Sequence, residues 1–599
     1  MNDRRELVHG AFDSVLVANR GEIAVRVLQA ARDEGLRAIA VHSDVDADAL
    51  HVRTADEAHA LHGVLAKDTY LHADKLIDVA LAAGAQAVHP GYGFLSESAD
   101  FAEAVIAAGL VWIGPSPRAI DILGDKVEAR AVARSVGAPL APGTEKPVAT
   151  VAEIELFVEA YGMPIAIKAA FGGGGRGLRV VRDRASIAED FDSATREAVA
   201  AFGRGECFVE RYLEHPRHVE AQLLADRYGD AVVVGTRDCS LQRRHQKLVE
   251  EAPAPFLTEE QTTTIVEASV AIARSAGYVG AGTAEFLVGD DGVISFLEVN
   301  TRLQVEHPVT EETTGVDLVS EQFAIARGEH LRVRETPVPR GHSIELRINA
   351  EDPGRAFAPS PGRVTTWDVP RGPGIRIDTG VVAGSVVTEF YDSMLGKLVV
   401  SGKDRATVLA RTRRALDELR IVGVATVLPL DRAILAHPDF TGGGDGFSVH
   451  TGWIEEHLDE LLDGGAGGGS FDVETPDAVD VLIGRQVHRV ALPGLATLGE
   501  RAEPIRQSVR EQVSPAEAGD DVRTPMQGTV VRVAVNDGDQ VEEGDLIGAV
   551  EAMKMENAIR AHRSGTVSEV SVVVGDVCAQ GSLVCRIEAN ESPGPVPRP

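Results

Sequence analysis

The chain has 599 residues, of which 44% are hydrophobic and 25% charged, and its formal net charge is −32. This length exceeds what one hydrophobic core supports, so several globular domains are expected. The negative charge argues against a nucleic-acid partner, because phosphate backbones require a basic footprint. Four cysteines without a CxxC pair predict neither a disulfide framework nor a zinc site. No secretory signal or membrane span is found, which favours a cytoplasmic location without membrane association.

The N-terminal region alternates strand and helix patterns. "SVLVAN" is followed by "RGEIAVRVLQAARDEG" and then by "LRAIAVHS", and the alternation continues through "AQAVHPGYGF" and "VWIGPS". This βαβ pattern predicts a parallel, Rossmann-like sheet over about the first 120 residues. The first strand is not followed by the glycine fingerprint of a dinucleotide site, so no dinucleotide is expected there.

A glycine-rich loop lies in "KAAFGGGGRGLRVV". Gly172, Gly174 and Gly177 satisfy GxGxxG, but apolar strand patterns stand on both sides, whereas a dinucleotide loop must open a helix. A glycine-rich hairpin can instead cover a nucleotide, with bare backbone N–H groups facing phosphate oxygens. Lys168 before the loop and Lys126 in "GDKVEAR" are then candidate phosphate partners. The alternative is a flexible hairpin tip without a ligand.

A second hairpin is predicted in "GTAEFLVGDDGVISFLEVN", where "DDG" is the turn. This turn places Glu298 opposite Thr283, with Glu285 as the diagonal neighbour of Glu298. Because every second side chain of a strand points to the same face, Asn300 lies on the same face as Glu298. Two carboxylates and an amide make an oxygen-rich site suited to Mg²⁺ that bridges nucleotide phosphates. The alternative is a hairpin with an exposed acidic face.

The C-terminal part contains a glycine-rich linker, "LLDGGAGGGSF", and an internal repeat. Gly528 and Gly565 begin similar segments, as do Gly544 and Gly581, and both pairs are 37 residues apart. Two such copies predict a two-fold symmetric β-sandwich of about 65 residues. Lys554 in "EAMKMEN" lies at the junction and is expected at a protruding hairpin tip, where a group could be attached. The alternative makes the flanking methionines core residues and the lysine a solvated turn residue.

Together these motifs resemble a known family. "ANRGEIAVRV", "HPGYGFLSE", "FGGGGRG", "RDCSLQRRHQK", "EEAPAP", "FLEVNTRLQVEHPVTE", "RINAEDP" and "YDSMLGKL" resemble biotin carboxylase of the ATP-grasp superfamily, and "EAMKMEN" resembles a biotin attachment motif. The order is similar to that of the α subunits of actinobacterial acetyl-/propionyl-CoA carboxylases. The resemblance implies an α/β and α+β multidomain chain ending in a small all-β biotinyl/lipoyl-like sandwich. The expected segments are a Rossmann-like biotin carboxylase N-terminal domain at 12–125, an ATP-grasp domain at 126–335, a biotin carboxylase C-terminal domain at 336–455, a linker at 456–522, the biotinyl carrier at 523–589 and a tail at 590–599.

The resemblance also implies site residues. The residues expected to bind ATP are Lys126, Lys168, Gly174, Gly175, Glu210, His218 and His245. The residues expected to bind Mg²⁺ or Mn²⁺ are Glu285, Glu298 and Asn300. The residues expected to bind bicarbonate are Lys247, Arg302, Gln304 and the backbone of Val305. Glu306 is expected to deprotonate bicarbonate, Arg347 to stabilise the biotin enolate, Tyr92 to line the biotin pocket and Lys554 to carry biotin.

The implied activity is ATP- and bicarbonate-dependent carboxylation of biotin through carboxyphosphate, for malonyl-/methylmalonyl-CoA-type products of fatty-acid and lipid synthesis. The chain shows no carboxyltransferase pattern, so a separate β subunit is expected, together with a biotin protein ligase and homo-oligomerisation through the carboxylase part. Residues around 471–510 are expected to dock a partner. One departure is Ala170-Phe171, where many relatives have serine and glycine. The alternatives are the α subunit of a two-subunit pyruvate carboxylase and a non-catalytic biotinyl carrier or scaffold.

Overall fold

The computed structural model of the protein describes residues 7–144, 146–169, 178–202, 205–244, 246–442, 446–464, 478–483, 486–491, 520–524, 528–552, 555–578 and 581–588. Of the predicted site residues, Gly174, Gly175, His245 and Lys554 lie outside these ranges. In this part of the chain, no helix has the length and apolar character of a membrane span.

The N-terminal region forms a five-stranded parallel sheet in the order β3-β2-β1-β4-β5, which confirms the Rossmann-like prediction. Its strands are short and apolar because helices cover them. After β1, Asn19 Nδ2 donates hydrogen bonds to the carbonyl oxygens of Pro90 (2.7 Å) and Tyr92 (2.8 Å), which fixes the "GYG" turn. The elements are β1 (Ser14–Val17), α1 (Gly21–Asp33), β2 (Arg37–His42), α2 (Leu50–Thr54), β3 (Glu57–Ala60), α3 (Ala73–Ala82), β4 (Ala87–His89), α4 (Ala99–Ala107), β5 (Val111–Trp112) and α5 (Pro117–Gly124).

The next region contains a small three-stranded sheet, β7-β6-β8, and the first five strands of a large antiparallel sheet. Strands β6 and β7 pair antiparallel, with Lys168 opposite Leu178, so the glycine-rich loop joins two strands as predicted. The elements are α6 (Lys126–Ser135), α7 (Val151–Tyr161), β6 (Ile165–Ala169), β7 (Leu178–Val181), α8 (Ile187–Phe202), β8 (Cys207–Arg211), β9 (Arg217–Ala225), β10 (Ala231–Arg243), β11 (Gln246–Ala252), α9 (Glu259–Ala276), β12 (Gly280–Val288), β13 (Ile294–Asn300), α10 (His307–Thr314) and α11 (Leu318–Arg327).

The β12–β13 hairpin has a different register from the predicted one. Glu298 lies directly opposite Glu285, and Asn300 opposite Thr283, so the predicted Glu298–Thr283 pair was wrong. Two causes shift the register. Gly289 N–H donates to the Val293 carbonyl (2.8 Å), so the turn is longer than assumed, and a bulge follows Glu285. The shift brings the two carboxylates to one ladder position.

The C-terminal carboxylase region completes the large sheet, whose order is β13-β12-β9-β10-β11-β14-β21-β19. One face of β14, with Leu346 and Ile348, belongs to a core shared with α12 and α13. The other face is covered by α10, where Val309 packs against Val399. The elements are β14 (His342–Asn349), β15 (Glu351–Asp352), β16 (Ala358–Pro359), β17 (Gly362–Arg363), β18 (Thr366–Asp368), β19 (Ile375–Thr379), β20 (Val386–Val387), β21 (Met394–Gly402), α12 (Arg405–Glu418), β22 (Arg420–Val422), α13 (Leu428–Ala436), α14 (Pro438–Thr441) and α15 (Trp453–Gly464).

Regular structure occurs within the segment predicted to be a linker. Helix α15 continues to Gly464, beyond the predicted boundary at 455, because Trp453, Ile454 and Leu461 are buried in the carboxylase core. Further along, β23 (Ala478–Ile483) and β24 (Gln486–Ala491) pair as an antiparallel hairpin.

The carrier region is a sandwich of two four-stranded sheets, β25-β32-β30-β27 and β29-β28-β26-β31. Strands related by the sequence repeat occupy equivalent positions in the two sheets, which confirms the two-fold prediction. Ala552 pairs with Met555, so Lys554 falls in sequence between two paired strands. The strands are β25 (Asp521–Arg523), β26 (Gly528–Val533), β27 (Gln540–Val541), β28 (Leu546–Ala552), β29 (Met555–Arg560), β30 (Gly565–Ser568), β31 (Val577–Cys578) and β32 (Leu583–Glu588).

Candidate active site

The polar side chains of the large sheet gather around Lys247 at the start of β11. Its Nζ lies 2.8 Å from Glu306 Oε1 and 3.1 Å from Glu285 Oε1, and it also contacts Glu220. Burial opposes the charge on Lys247, but these three carboxylates outweigh burial and raise the pKa of Lys247 well above its usual range. A buried ammonium therefore neutralises acids that could not share this interior otherwise.

Glu306 is almost completely buried, with 1% exposure, yet it is held ionised. Burial raises its pKa, but Lys247, Arg347 and Arg237 outweigh that effect and hold the pKa of Glu306 well below its usual range. Arg347 Nη2 donates to Glu306 Oε2 (3.0 Å), and Arg347 Nε donates to Glu250 Oε1 (2.6 Å). The site therefore contains an ionised carboxylate between an ammonium and a guanidinium, as a general base requires.

Gln304 and Arg302 approach the same cluster from the loop after β13. Gln304 Nε2 donates to Glu285 Oε1 (2.7 Å), and its Oε1 accepts from the buried Arg237 Nη2 (2.5 Å). Arg302 Nη2 donates to Asn300 Oδ1 (3.0 Å), and Arg302 Nε donates to Glu97 Oε2 (2.9 Å).

The predicted metal residues also come together. Asn300 Nδ2 donates to Glu285 Oε1 (2.7 Å), and Glu298 lies opposite Glu285 in the ladder. His218 Nε2 lies 2.9 Å from Glu285 Oε2, and Lys126 Nζ lies 3.0 Å from Glu298 Oε2. The carboxylates of Glu285 and Glu298 and the side-chain amide of Asn300 can offer oxygen ligands, which Mg²⁺ prefers, although the Asn300 oxygen here accepts from Arg302. The residues thus fit a hard divalent cation.

Lys168 and Glu210 contact each other across β6 and β8, and Arg130 Nη2 lies 3.3 Å from Glu210 Oε2. Burial and then the charges of Arg130 and Lys126 lower the pKa of Lys168 to about 8. Three cations, Lys168, Arg130 and Lys126, therefore interact near the end of β6, as polyphosphate recognition requires.

Two predicted residues have other contacts. The Val305 carbonyl accepts a hydrogen bond from the buried Lys397 Nζ (2.7 Å). The Tyr92 hydroxyl donates to Glu22, and it lies 3.8 Å from Met394 Sδ. Tyr92 thus bridges the N-terminal sheet and the start of β21.

Sequence reasoning missed six residues that contact the predicted site residues or their partners, namely Glu22, Glu97, Glu220, Arg237, Glu250 and Lys397, and also Glu345, the cross-strand neighbour of Glu250. Two of these residues carried a usable signal. Glu345 lies two residues from Arg347 along β14, and the other is Glu220. Glu220 lies two residues from His218 and two from Gln222 in β9, and because side chains alternate along a strand, all three point to the same face of the sheet.

The sequence also matches known families. Four family models match the chain. The model described as biotin carboxylase N-terminal domain matches residues 11–120, and the carbamoyl-phosphate synthase L chain ATP-binding domain matches residues 125–334. The biotin carboxylase C-terminal domain matches residues 345–456, and the model described as biotin-requiring enzyme matches residues 520–587. The biotin-dependent acyl-coenzyme A carboxylase alpha3 subunit of Mycobacterium leprae is 54% identical over 92% of this chain and 94% of its own length. The chain belongs to the biotin-dependent acyl-CoA carboxylase α subunits.

Two further relatives cover only the carboxylase part. A pyruvate carboxylase subunit from Methanothermobacter thermautotrophicus is 44% identical over 74% of this chain and 90% of its own length. The second is the biotin carboxylase domain of the 2-oxoglutarate carboxylase from Hydrogenobacter thermophilus, which was solved as a dimer with MgADP, ADP and bicarbonate. It superposes on this chain with a TM-score of 0.68. The sequences are 43% identical, and the match covers 76% of this chain and 99% of that chain. The present chain is therefore an ATP-dependent biotin carboxylase fused to a biotinyl carrier, and it uses biotin, ATP, Mg²⁺ and bicarbonate.

Proposed function

We propose that this chain carboxylates biotin carried on Lys554 of its own carrier domain and delivers the carboxyl group, with a separate carboxyltransferase β subunit, to an acyl-CoA. The observation that carries this proposal is how much of the chain each relative matches. The alpha3 subunit relative matches 92% of this chain, which is more than the carboxylase part alone, whereas the pyruvate carboxylase relative matches 74% of it. An acyl-CoA acceptor is therefore favoured over pyruvate.

We assign the nucleotide to the region around Lys126, Lys168 and His218. The charged side chains in this region are suited to binding phosphates and ribose hydroxyls. His218 also contacts Glu285, one of the proposed metal ligands. The proposed ATP residues are Lys126, Lys168, Glu210, His218, Gly174, Gly175 and His245. Lys168 and Lys126 would hold phosphate oxygens by charge-assisted hydrogen bonds. Burial, followed by the charges of Arg130 and Lys126, lowers the pKa of Lys168 to about 8, and a polyphosphate would offset the repulsion among these cations.

Glu285, Glu298 and Asn300 would hold the Mg²⁺ ions that bridge the phosphates. When bound, these ions neutralise charge on the transferred phosphoryl group. The ammonium of Lys126 now lies against Glu298, at 3.0 Å, so a positive charge already balances this carboxylate. In the loaded site Glu298 would hold Mg²⁺, and Lys126 would contact the nucleotide instead of Glu298.

Lys247, Arg302, Gln304 and the backbone of Val305 would bind bicarbonate, and Glu306 would remove its proton. Arg347 and Lys247 keep Glu306 ionised, which is the state a base needs. The proton passes from the bicarbonate hydroxyl to a Glu306 oxygen, and the resulting anion stays between Lys247 and Arg302. Attack of this anion on the γ-phosphate of ATP would form carboxyphosphate and release ADP, and exclusion of water by the surrounding side chains would protect the carboxyphosphate from hydrolysis.

Arg347 would face the ureido group of biotin and stabilise the negative charge that develops there, and Tyr92 would line the same pocket. A biotin protein ligase would attach biotin to Lys554, and the carboxylase part would self-associate, as the Hydrogenobacter domain does. The dependence on ATP supports a cytoplasmic location, and malonyl-/methylmalonyl-CoA-type products would supply lipid synthesis.

Phosphate release by the biotinylated chain tests the proposal. Sustained ATP hydrolysis, beyond one carboxylation of the chain's own biotin, should require bicarbonate, Mg²⁺ and free biotin together, and Glu306→Gln should lower the dependent rate by about 10²- to 10⁴-fold, the usual contribution of a positioned base. An avidin blot should detect the wild-type chain but not Lys554→Arg. A biotin signal in Lys554→Arg, or hydrolysis at an equal rate without bicarbonate, would refute the assignment.

A further inference from the structure

Two glutamates behind the proposed base have no assigned role. Glu250 on β11 and Glu345 on β14 are direct cross-strand partners, and both side chains are fully buried. Among the described residues, no hydrogen-bond partner is found for Glu250 Oε2 or for either oxygen of Glu345. Unpartnered buried carboxylates are costly, so such a pair requires an explanation beyond packing.

Only one of the two glutamates contacts the proposed catalytic residues. Glu250 Oε1 accepts from Arg347 Nε (2.6 Å), while Arg347 Nη2 donates to Glu306 Oε2 (3.0 Å). One guanidinium is thus shared between Glu306, which the reaction protonates, and Glu250, which it does not.

The charged surroundings of the pair differ between its members. Burial raises the pKa of Glu250 to about 7 against the opposing charges of Arg347 and Lys247, with Glu306 adding to the rise. Burial raises the pKa of Glu345 well above its usual range, against Lys397 and with a further contribution from Glu250.

Asp431 on α13 also interacts with Glu250, and burial raises the pKa of Asp431 well above the usual range, which leaves it neutral. Cys239 on β10 interacts with Glu250 as well, and burial raises the pKa of its thiol well above the usual range, so it too is neutral. At Glu345, Arg347 lowers the pKa and Glu306 raises it. Cross-strand neighbours are close enough that two anions here would repel strongly. We therefore expect the Glu250–Glu345 pair to carry one negative charge, on Glu250, which contacts Arg347.

We propose that Glu250 and Glu345 form a positioning pair for Arg347, in which Glu250 is an anion that fixes the guanidinium through Nε and Glu345 is a neutral acid. The inference rests on the proposed roles of Glu306 and Arg347. When Glu306 accepts the proton of bicarbonate, it loses the charge that attracts Arg347 Nη2. Glu250 retains Nε, so the guanidinium keeps its orientation while its Nη edge becomes available to the negative charge on the biotin ureido group.

Two isosteric variants separate the members of the pair: Glu250→Gln and Glu345→Gln, each in the full biotinylated chain. Glutamine mimics a protonated glutamate, so Glu345→Gln should keep the kcat/KM for free biotin within about twofold of the wild type. Glu250→Gln removes the anion and should lower this kcat/KM by about 10- to 100-fold, the range for a hydrogen bond to a charged group. The affinity for MgATP, measured on the same samples, should not change.

The pH profile gives a readout that a merely structural role would not move. The wild-type kcat/KM for biotin should rise with pH through about 7 as Glu250 ionises, because the pKa of Glu250 is about 7. Glu250→Gln should lack this rise. Glu250→Asp keeps the charge and should keep the rise, and it also serves if Glu250→Gln does not fold.

Equal losses in the two glutamine variants, or an unchanged profile in Glu250→Gln, would overturn the inference and leave the proposed function intact. Absence of bicarbonate- and biotin-dependent hydrolysis in the wild type would overturn both.

Discussion

Lys247→Met tests whether a single ammonium holds the active-site acids together. Methionine has a similar length but no charge, so the substitution leaves Glu220, Glu285 and Glu306 close together without their shared cation. The exposed fraction of the Lys247 side chain is 13% and those of the three glutamates are 5% or less, so water cannot replace the lost charge.

Removing one partner of a buried ion pair costs about 3–5 kcal/mol. If roughly 300 residues around the large sheet unfold together, the entropy of unfolding is about 0.6 kcal/mol per kelvin, and this cost lowers the unfolding midpoint by about 5–8 °C. The biotin-dependent rate should fall by at least about 10²-fold, because a charged group at the reacting centre is lost.

The assay pairs a thermal melt with phosphate release for Lys247→Met, Glu306→Gln and the double variant. Because Glu306→Gln removes one of the stranded charges, the double variant should regain about 1–3 kcal/mol of stability relative to additivity. It should not regain activity, since both the base and the cation are absent. In the double variant, stability is therefore partly restored while activity is not.

Lys403→Met is the matched control, because Lys403 is 81% exposed and its contact with Asp404 is 3.9 Å. This variant should change stability by less than about 0.5 kcal/mol. A midpoint for Lys247→Met equal to that of Lys403→Met, or a double variant no more stable than additivity predicts, would refute the reasoning.

Three other predictions concern the surroundings of the site. Arg20 lowers the pKa of Asp46 to about 2 despite burial. The pair therefore contributes about 2.5 kcal/mol to the free energy of unfolding, which is present above about pH 4 and is lost as the pH falls through 2. Thermal melts should show that the stability difference between Asp46→Asn and the wild type shrinks over that pH range. Glu298→Gln should raise the Mg²⁺ concentration for half-maximal phosphate release about tenfold, because a ligand charge is lost; an unchanged Mg²⁺ dependence would contradict its role. Tyr92→Phe should raise the KM for free biotin several-fold and leave the KM for ATP unchanged; equal shifts in both would indicate a general structural role.

The sequence predicted those elements whose signal is local. The repeat of 37 residues between Gly528 and Gly565 was sufficient for the two-fold carrier sandwich, because each copy must bury its face against the other. The antiparallel strands around the glycine-rich loop followed from the apolar runs on both sides. The register of β12 and β13 did not follow, since a longer turn and a bulge after Glu285 each move the pairing by one residue.

The charged residues of β14 show why the rest of the site could not be derived in the same way. Glu345 and Arg347 alternate with Ile344, Leu346 and Ile348, a pattern that indicates one apolar and one solvated face. In the folded chain α10 covers the polar face, and Val399 opposite Glu345 packs against Val309. Whether a strand's polar face meets water or a helix is decided by chain segments far away in sequence. Arg347 could therefore be assigned only through resemblance, and Glu250 and Glu345 become informative only once burial leaves Glu250 Oε2 and both oxygens of Glu345 without a hydrogen-bond partner among the described residues.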